Sequence, residues 1–173
     1  MSTGISDVLI RPATAGDLPA LTAIYNHYIV NTPITFDLQP FSVDDRRDWF
    51  LNHSGGRYRL LLAEDGRGQV IGYASSSQFR IKAAYDPTVE SSIYCRADIV
   101  GRGVGTSLYG SLFETLKGED INRIVAGVTL PNPASLALHE RCGFRRVGTF
   151  SSVGRKFDRY WDVAWFERAL LVR

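Results

Sequence analysis

Cysteine is scarce in this chain. Cys95 and Cys142 are the only two, and neither has a second cysteine near it, so no metal site is expected and both are read as buried thiols. Long apolar runs are missing as well. None approaches the roughly 18 residues of a membrane-spanning helix, and Met1 to Arg11 lacks the apolar core of a secretory signal, so a cytoplasmic protein without a membrane partner is expected. Charge of one sign is also lacking. The net charge of +2 is spread over scattered lysines and arginines, which argues against a nucleic-acid partner. Repeats, low-complexity tracts and linkers are absent. With 173 residues, 45% hydrophobic and 22% charged, the chain reads as one globular domain over 1–173 with its core from about 8 to 170, neither disordered nor fibrous.

What is present is a regular alternation of period. Val8 to Arg11 reads as a strand, and Asp17 caps a helix carrying Leu18, Leu21, Ile24, Tyr25, Tyr28 and Ile29 at helical spacing. Ser42 and Asp45 have the spacing of a capping box before a short helix with Trp49, Phe50 and Leu51. Tyr58 to Glu64 and Gln69 to Phe79 are strand-like and flank a hairpin signal, Glu64-Asp65-Gly66-Arg67-Gly68. Thr88 to Arg96 is another strand. A helix is expected from near Ser107, closed by Gly118, then a strand from Asn122 to Thr129 and a helix capped by Asn132 and ended by Gly143. Two strands finish the chain, Phe144 to Val153 and Arg159 to Glu167, joined by a turn-rich stretch with Gly154 and Asp158. The order predicts an α/β fold with a mixed sheet of about seven strands and about four helices, not a uniformly doubly wound one.

Between Ile99 and Thr106 the chain reads Ile-Val-Gly-Arg-Gly-Val-Gly-Thr, with glycines on alternate positions after a strand and before a helix. Glycines let backbone N–H groups approach an anion, and the following helix directs its positive end at the same place. ATP and NAD loops are both excluded. A Walker loop needs Lys followed by Ser or Thr where this chain has Thr106-Ser107, and a dinucleotide fingerprint from Gly101 needs Gly or Ala where it has Thr106.

Glu90 is the unusual member of the strand leading into that loop. It shares a face with Thr88, Ser92 and Tyr94, while Val89, Ser91, Ile93 and Cys95 share the other. Glutamate is depleted in strand interiors, and this one has the position of a general base facing a bound cofactor. By itself it also fits a solvated carboxylate or a salt-bridge partner. His139 has a side chain suited to proton transfer near neutrality, and it equally fits a helical histidine bonded to backbone. Phe79, Arg80, Lys82 and Tyr85 precede Glu90. Arg80 and Lys82 share a face if the segment is extended and together would hold an anionic group, or they are ordinary surface charge. Phe36, Trp49, Trp161 and Trp165 read as core or interface aromatics, with Phe36 a candidate pocket wall.

These residues, in this order, resemble the GCN5-related N-acetyltransferase superfamily and its phosphinothricin and methionine sulfoximine/sulfone acetyltransferase branch. The resemblance covers nearly the whole chain. It rests on Ile24-Tyr25-Asn26-His27-Tyr28, Ala84-Tyr85 with Thr88-Val89-Glu90-Ser91, Arg102-Gly103-Val104-Gly105, Asn132-Pro133-Ala134-Ser135, Leu138-His139-Glu140, Gly143-Phe144, and Lys156 with Trp161-Asp162-Val163. It implies a cleft for acetyl-CoA where the two parallel strands containing Glu90 and Asn122 to Thr129 splay apart. The pantetheine arm would follow Ser92, Ile93 and Tyr94, and the pyrophosphate would take Val100, Gly101, Arg102, Gly103, Val104, Gly105 and Thr106. Asn132 and Ser135 complete the implied cofactor set. Glu90 and His139 are the implied catalytic pair. The implied acceptor site is Phe36, Phe79, Arg80, Ile81, Lys82 and Tyr85 with Val89, Glu90 and Ser91. Two positions depart from the superfamily pattern. Val100 stands where Gln or Arg is usual, and His139 stands where many members carry a tyrosine, a replacement shared with the branch.

The implied reaction is acetyl transfer to the α-amino group of a small amino-acid-like acceptor such as phosphinothricin, methionine sulfoximine or methionine sulfone, within a ternary complex. An α-ammonium group cannot attack a thioester, so Glu90 would take its proton, which requires burial to raise the carboxyl from about 4.3 toward 6 or 7. Other acceptors in the same chemistry are another small amine or a protein N-terminus. A non-catalytic acyl-CoA sensor is a reading of a different class. A homodimer is implied by the branch, with the aromatic C-terminal strands as its interface.

Overall fold

The computed structural model describes residues 8–53, 55–99 and 101–170. Seven strands form one sheet: β1 (Leu9–Pro12), β2 (Leu60–Glu64), β3 (Val70–Gln78), β4 (Thr88–Cys95), β5 (Arg123–Thr129), β6 (Arg145–Lys156) and β7 (Arg159–Ala169). Their spatial order is β1-β2-β3-β4-β5-β7-β6, and every neighbouring pair is antiparallel except β4 with β5. Four α-helices lie among the described residues: α1 (Leu18–Asn31), α2 (Arg47–Leu51), α3 (Val104–Leu116) and α4 (Pro133–Arg141). The expected α/β architecture with a mixed sheet is the one observed.

The sheet is covered on both faces. Leu108, Leu112 and Leu116 of α3 pack over Ile71, Ile124 and Phe166, while Leu21 and Ile24 of α1 pack over Leu62 and Tyr73 on the opposite face. Each fully buried leucine contributes about 1.5–3 kcal/mol of apolar transfer. A buried Arg46 locks α2 to α1, its guanidinium 3.8 Å from the Trp49 ring centroid and 4.5 Å from that of Tyr25.

Local chemistry set most boundaries where expected. Ser42 N–H and Oγ–H both donate to Asp45, and Asp45 N–H donates back to Ser42 Oγ, so the capping box opens the turn that leads into α2. The hairpin after β2 closes on Asp65, whose carboxylate accepts from Arg67 N–H and Gln69 N–H at 3.0 Å each. Four expectations are corrected or refined. Asp17 stands at the N-cap of α1 as expected, but its carboxylate makes no cap bond to the helix; it accepts from Thr14 N–H, which opens the preceding 3-10 turn, and pairs with Arg11. Helix α3 begins at Val104, three residues before Ser107, because Gly103 adopts a left-handed φ of 83° and lets the chain turn into the helix inside the glycine loop. The last hairpin turns on Phe157 and Asp158, both with positive φ, so Gly154 lies within β6. Finally, Cys95 and Cys142, read as buried thiols, are half-buried.

Candidate active site

Strands β4 and β5 pair in register only at Thr88 with Arg123, Val89 with Ile124 and Glu90 with Val125. Beyond Glu90 they part. Over Ser91 to Cys95, β4 keeps its antiparallel bonds to β3 but has lost its other neighbour, so the peptide groups on that side face a gap. The splayed parallel pair expected from the resemblance is therefore present. Its separation begins at the candidate base.

The gap opens into a cavity of about 560 Å³ whose walls include Ile93, Tyr94, Gly101, Gly103, Thr106 and Asn132. Gly101 and Gly103 have φ of 89° and 83°, and a Cβ added at either would meet no atom of the described residues within 4 Å, so these two glycines leave open space beside the helix N-terminus. Gly105 has a different task. A Cβ there would lie 3.0 Å from Leu138 Cδ2 and 3.5 Å from Ile93 Cδ1, so this glycine allows α3 to seat against α4 and β4. Thr106 Oγ1 is buried without a hydrogen-bond partner among the described residues, an orphan polar atom on the cavity wall. An open cradle, first-turn amides and an unsatisfied hydroxyl together fit a pyrophosphate-bearing cofactor. Val100 lies outside the described residues, and Arg102 is exposed beside the cradle. Asn132 Oδ1 is committed to Ser135 N–H at 3.1 Å as the cap of α4, which leaves its amide NH₂ for a ligand.

A second, smaller cavity of about 60 Å³ adjoins the first, sharing Ile34, Ile93, Tyr94, Asn132 and Ser135 as walls. Glu90 and His139 both line it. Burial pushes the Glu90 carboxyl above its ordinary value, opposed by the positive charge of Arg80. His139 is 3% exposed and pushed down by the same desolvation. Both of its nitrogens are engaged: Nδ1 donates to Ser135 O at 2.7 Å, which leaves Nε2 to accept from Tyr109 Oη at 3.1 Å. Ser91 Oγ lies 3.4 Å from the same phenol, so Ser91, Tyr109 and His139 form a buried chain.

The acceptor-side residues divide. Arg80 sits over the Phe79 ring, 4.4 Å from its centroid, and Phe79 is wedged against Tyr85 and Trp165 at 5.8 and 6.3 Å. The segment bends instead of running extended, ending in a 3-10 turn at Ala83–Tyr85, so the shared face expected for Arg80 and Lys82 does not form. Arg80 alone acts on Glu90; Lys82 is exposed and Ile81 is 90% exposed. Val89 is a correction. It is fully buried under α3 because it alternates with Glu90, so its side chain belongs to the core. Phe36 packs its ring onto Gly154, where a Cβ would come within 2.2 Å, and lines neither cavity.

Tyr109 and Ile34 were not singled out in the sequence. Tyr109 reads there as one more apolar residue of a helix, four before Phe113, and nothing local marks its hydroxyl as the partner of a histidine thirty positions on. Ile34 sits in an irregular loop and reaches the junction of the two cavities through tertiary contact alone.

Comparison with known proteins agrees with this geometry. The family model described as an acetyltransferase (GNAT) domain matches residues 10–165. A phosphinothricin N-acetyltransferase of Streptomyces coelicolor is 52% identical over 96% of this chain and 99% of its own length. An L-methionine sulfoximine/L-methionine sulfone acetyltransferase of Pseudomonas aeruginosa is 36% identical over 91% of this chain and 92% of its own. Among solved structures, a GNAT superfamily phosphinothricin acetyltransferase of Sinorhizobium meliloti in complex with AcCoA superposes with a TM-score of 0.89 at 33% identity, covering 94% of this chain and 88% of that one. The splayed strands, the glycine cradle and these matches together place the chain in the GNAT family, as an acetyltransferase that takes its acetyl group from acetyl-CoA.

Proposed function

We propose that this enzyme acetylates the α-amino group of a small, anionic amino-acid-like acceptor of the phosphinothricin, methionine sulfoximine and methionine sulfone class, by direct attack in a ternary complex. The observation that carries the reading is the position of Glu90, a desolvated carboxyl at the point where β4 and β5 part, with Arg80 as the cation acting on it. The relatives' shared substrates support the acceptor class.

Bound acetyl-CoA supplies an acetyl group activated as a thioester. The gap along Ser92, Ile93 and Tyr94 would hold its pantetheine arm by backbone hydrogen bonds, with the Asn132 amide as a further donor, and the turn from Gly101 to Thr106 would hold the pyrophosphate. Glu90, raised by burial, takes the proton of the acceptor ammonium. Arg80 meets the acceptor's anionic group, and free N–H groups of β4 stabilise charge on the acyl oxygen. As the C–N bond forms and the C–S bond breaks, the second proton shed by the acceptor nitrogen balances the departing thiolate, which leaves as free thiol. His139 is implied by the resemblance as the catalytic partner of Glu90, but with both nitrogens bonded inside the fold it is given a positioning role instead, orienting Tyr109 and the first turn of α4. The exposed apolar residues of edge strand β6, among them Val147, Phe150 and Val153, are read as the contact between two copies of the chain, measurable as a dimer by light scattering.

Release of free CoA thiol from acetyl-CoA tests the reading against phosphinothricin, methionine sulfoximine, methionine sulfone, common amino acids, polyamines and peptides. Turnover confined to the first three is expected. Preference for peptides or polyamines would replace the acceptor class, and acetyl-CoA binding without turnover on any of them would favour a sensor.

A further inference from the structure

On the face of the sheet beneath α1 and α2, β3 and β4 align three cross-strand pairs: Tyr73 with Tyr94, Ser75 with Ser92, and Ser77 with Glu90. Directly opposite residues share a face with Cβ atoms about 5 Å apart. Ser77 is thus the lateral neighbour of the candidate base. Its hydroxyl is not idle, because Oγ lies 3.1 Å from His53 Nε2 at the end of α2. The tautomer follows from the other nitrogen. His53 Nδ1 is 2.6 Å from Trp49 O, an acceptor only, so Nδ1 carries the hydrogen and Nε2 is free to accept from Ser77. His53 is itself only half-buried, so the residue is not sealed from solvent.

We propose that Ser77 and His53 are positioning residues that give Glu90 a proton exit to solvent. The inference rests on Glu90 being the base. The acceptor's ammonium N–H bond breaks and its proton goes to the Glu90 carboxylate. Glu90 then passes a proton to Ser77 Oγ, directly or across one bridging water, as Ser77 gives its own to His53 Nε2. The net result is a neutral amine, Glu90 and Ser77 as they began, and a His53 imidazolium that returns its proton to water. The imidazole is ordinarily the stronger base, so transfer from the carboxyl to it runs downhill. Burial raises Glu90 and lowers His53, and Arg46 of the turn before α2 presses His53 down further, which makes that step shallower and the return of the proton to water easier. Tyr73 of β3 lies beyond Trp49, and Arg80 acts on Glu90 from the other side.

The test compares His53→Gln, Ser77→Ala and Glu90→Gln in the full-length enzyme, with folding checked by circular dichroism. For His53→Gln and Ser77→Ala the expected result is a kcat about 10-fold lower with KM for acetyl-CoA unchanged, a smaller effect than loss of a base that touches substrate. In the wild type, turnover should fall as pH drops and Glu90 and His53 take protons, and in His53→Gln the acid limb should shift, leaving only the part set by Glu90. Added imidazole should restore His53→Ala. Wild-type kcat and pH profile in folded His53→Gln would overturn the proposal. So would a loss with an unchanged pH profile that imidazole does not restore, which marks a structural role. Full turnover in Glu90→Gln would instead remove the base, a separate failure.

Discussion

Glu90→Gln should move activity and stability in opposite directions. The substitution preserves shape and removes only the charge and the proton-accepting oxygen. A positioned general base contributes about 10²–10⁴-fold, equivalent to roughly 2.7–5.5 kcal/mol of barrier. Stability has the opposite sign. Glu90 has a folded-state pKa raised above the unfolded 4.5, so between those values the native chain holds the proton more tightly than the unfolded chain does. Rising pH through that window therefore costs stability, and at pH 7 the buried carboxylate is a liability that glutamine lacks. Burial is the larger influence and Arg80 the smaller, so the attraction lost with the charge does not reverse the sign. Thiol-release kinetics and thermal unfolding from pH 4 to 8 give both readouts. The expected variant is slow, binds acetyl-CoA normally and melts higher at pH 7, with the advantage shrinking toward pH 4.5. Lower activity together with a lower Tm at pH 7 would make Glu90 a structural partner of Arg80 and refute the reasoning.

Tyr109→Phe leaves His139 Nε2 buried without its donor, which should cost about 1–3 kcal/mol, or roughly 2–12 °C of Tm for a domain this size. The double variant with His139→Phe should recover part of that loss in a thermal double-mutant cycle. Gly105→Ala places its Cβ 3.0 Å from Leu138 and should lift the start of α3 away from α4, raising KM for acetyl-CoA and costing about 1–3 kcal/mol in urea unfolding, while leaving acceptor KM near wild type. His139 has a folded pKa depressed below 6.5, so the unfolded chain takes its proton first as pH falls, and Tm should decline below about pH 6.5 and level once the folded histidine also protonates.

The sequence by itself determined the elements and the loop. Period-two and period-3.6 patterns, the Ser42–Asp45 box, the Asp65 hairpin and the Asn132 cap act over a few residues, so their physics is complete within a short window. The alternate glycines likewise declared an anion cradle, and the face alternation of β4 separated Glu90 from Val89. That same alternation argued against Val89 as an acceptor contact, yet the run of matching motif residues carried it into the implied site. Tertiary structure decided what shares a space. Where β4 and β5 stop pairing, which glycine is open to a ligand and which packs on Leu138, and how Arg80 comes to act on Glu90 while Lys82 does not are outcomes of strand twist and loop bending. Tyr109 meeting His139, and His53 meeting Ser77 beside Glu90, join side chains thirty and twenty-four positions apart. A hydrogen bond of about 3 Å is set by the packing of whole elements, and no local pattern along the chain carries that distance.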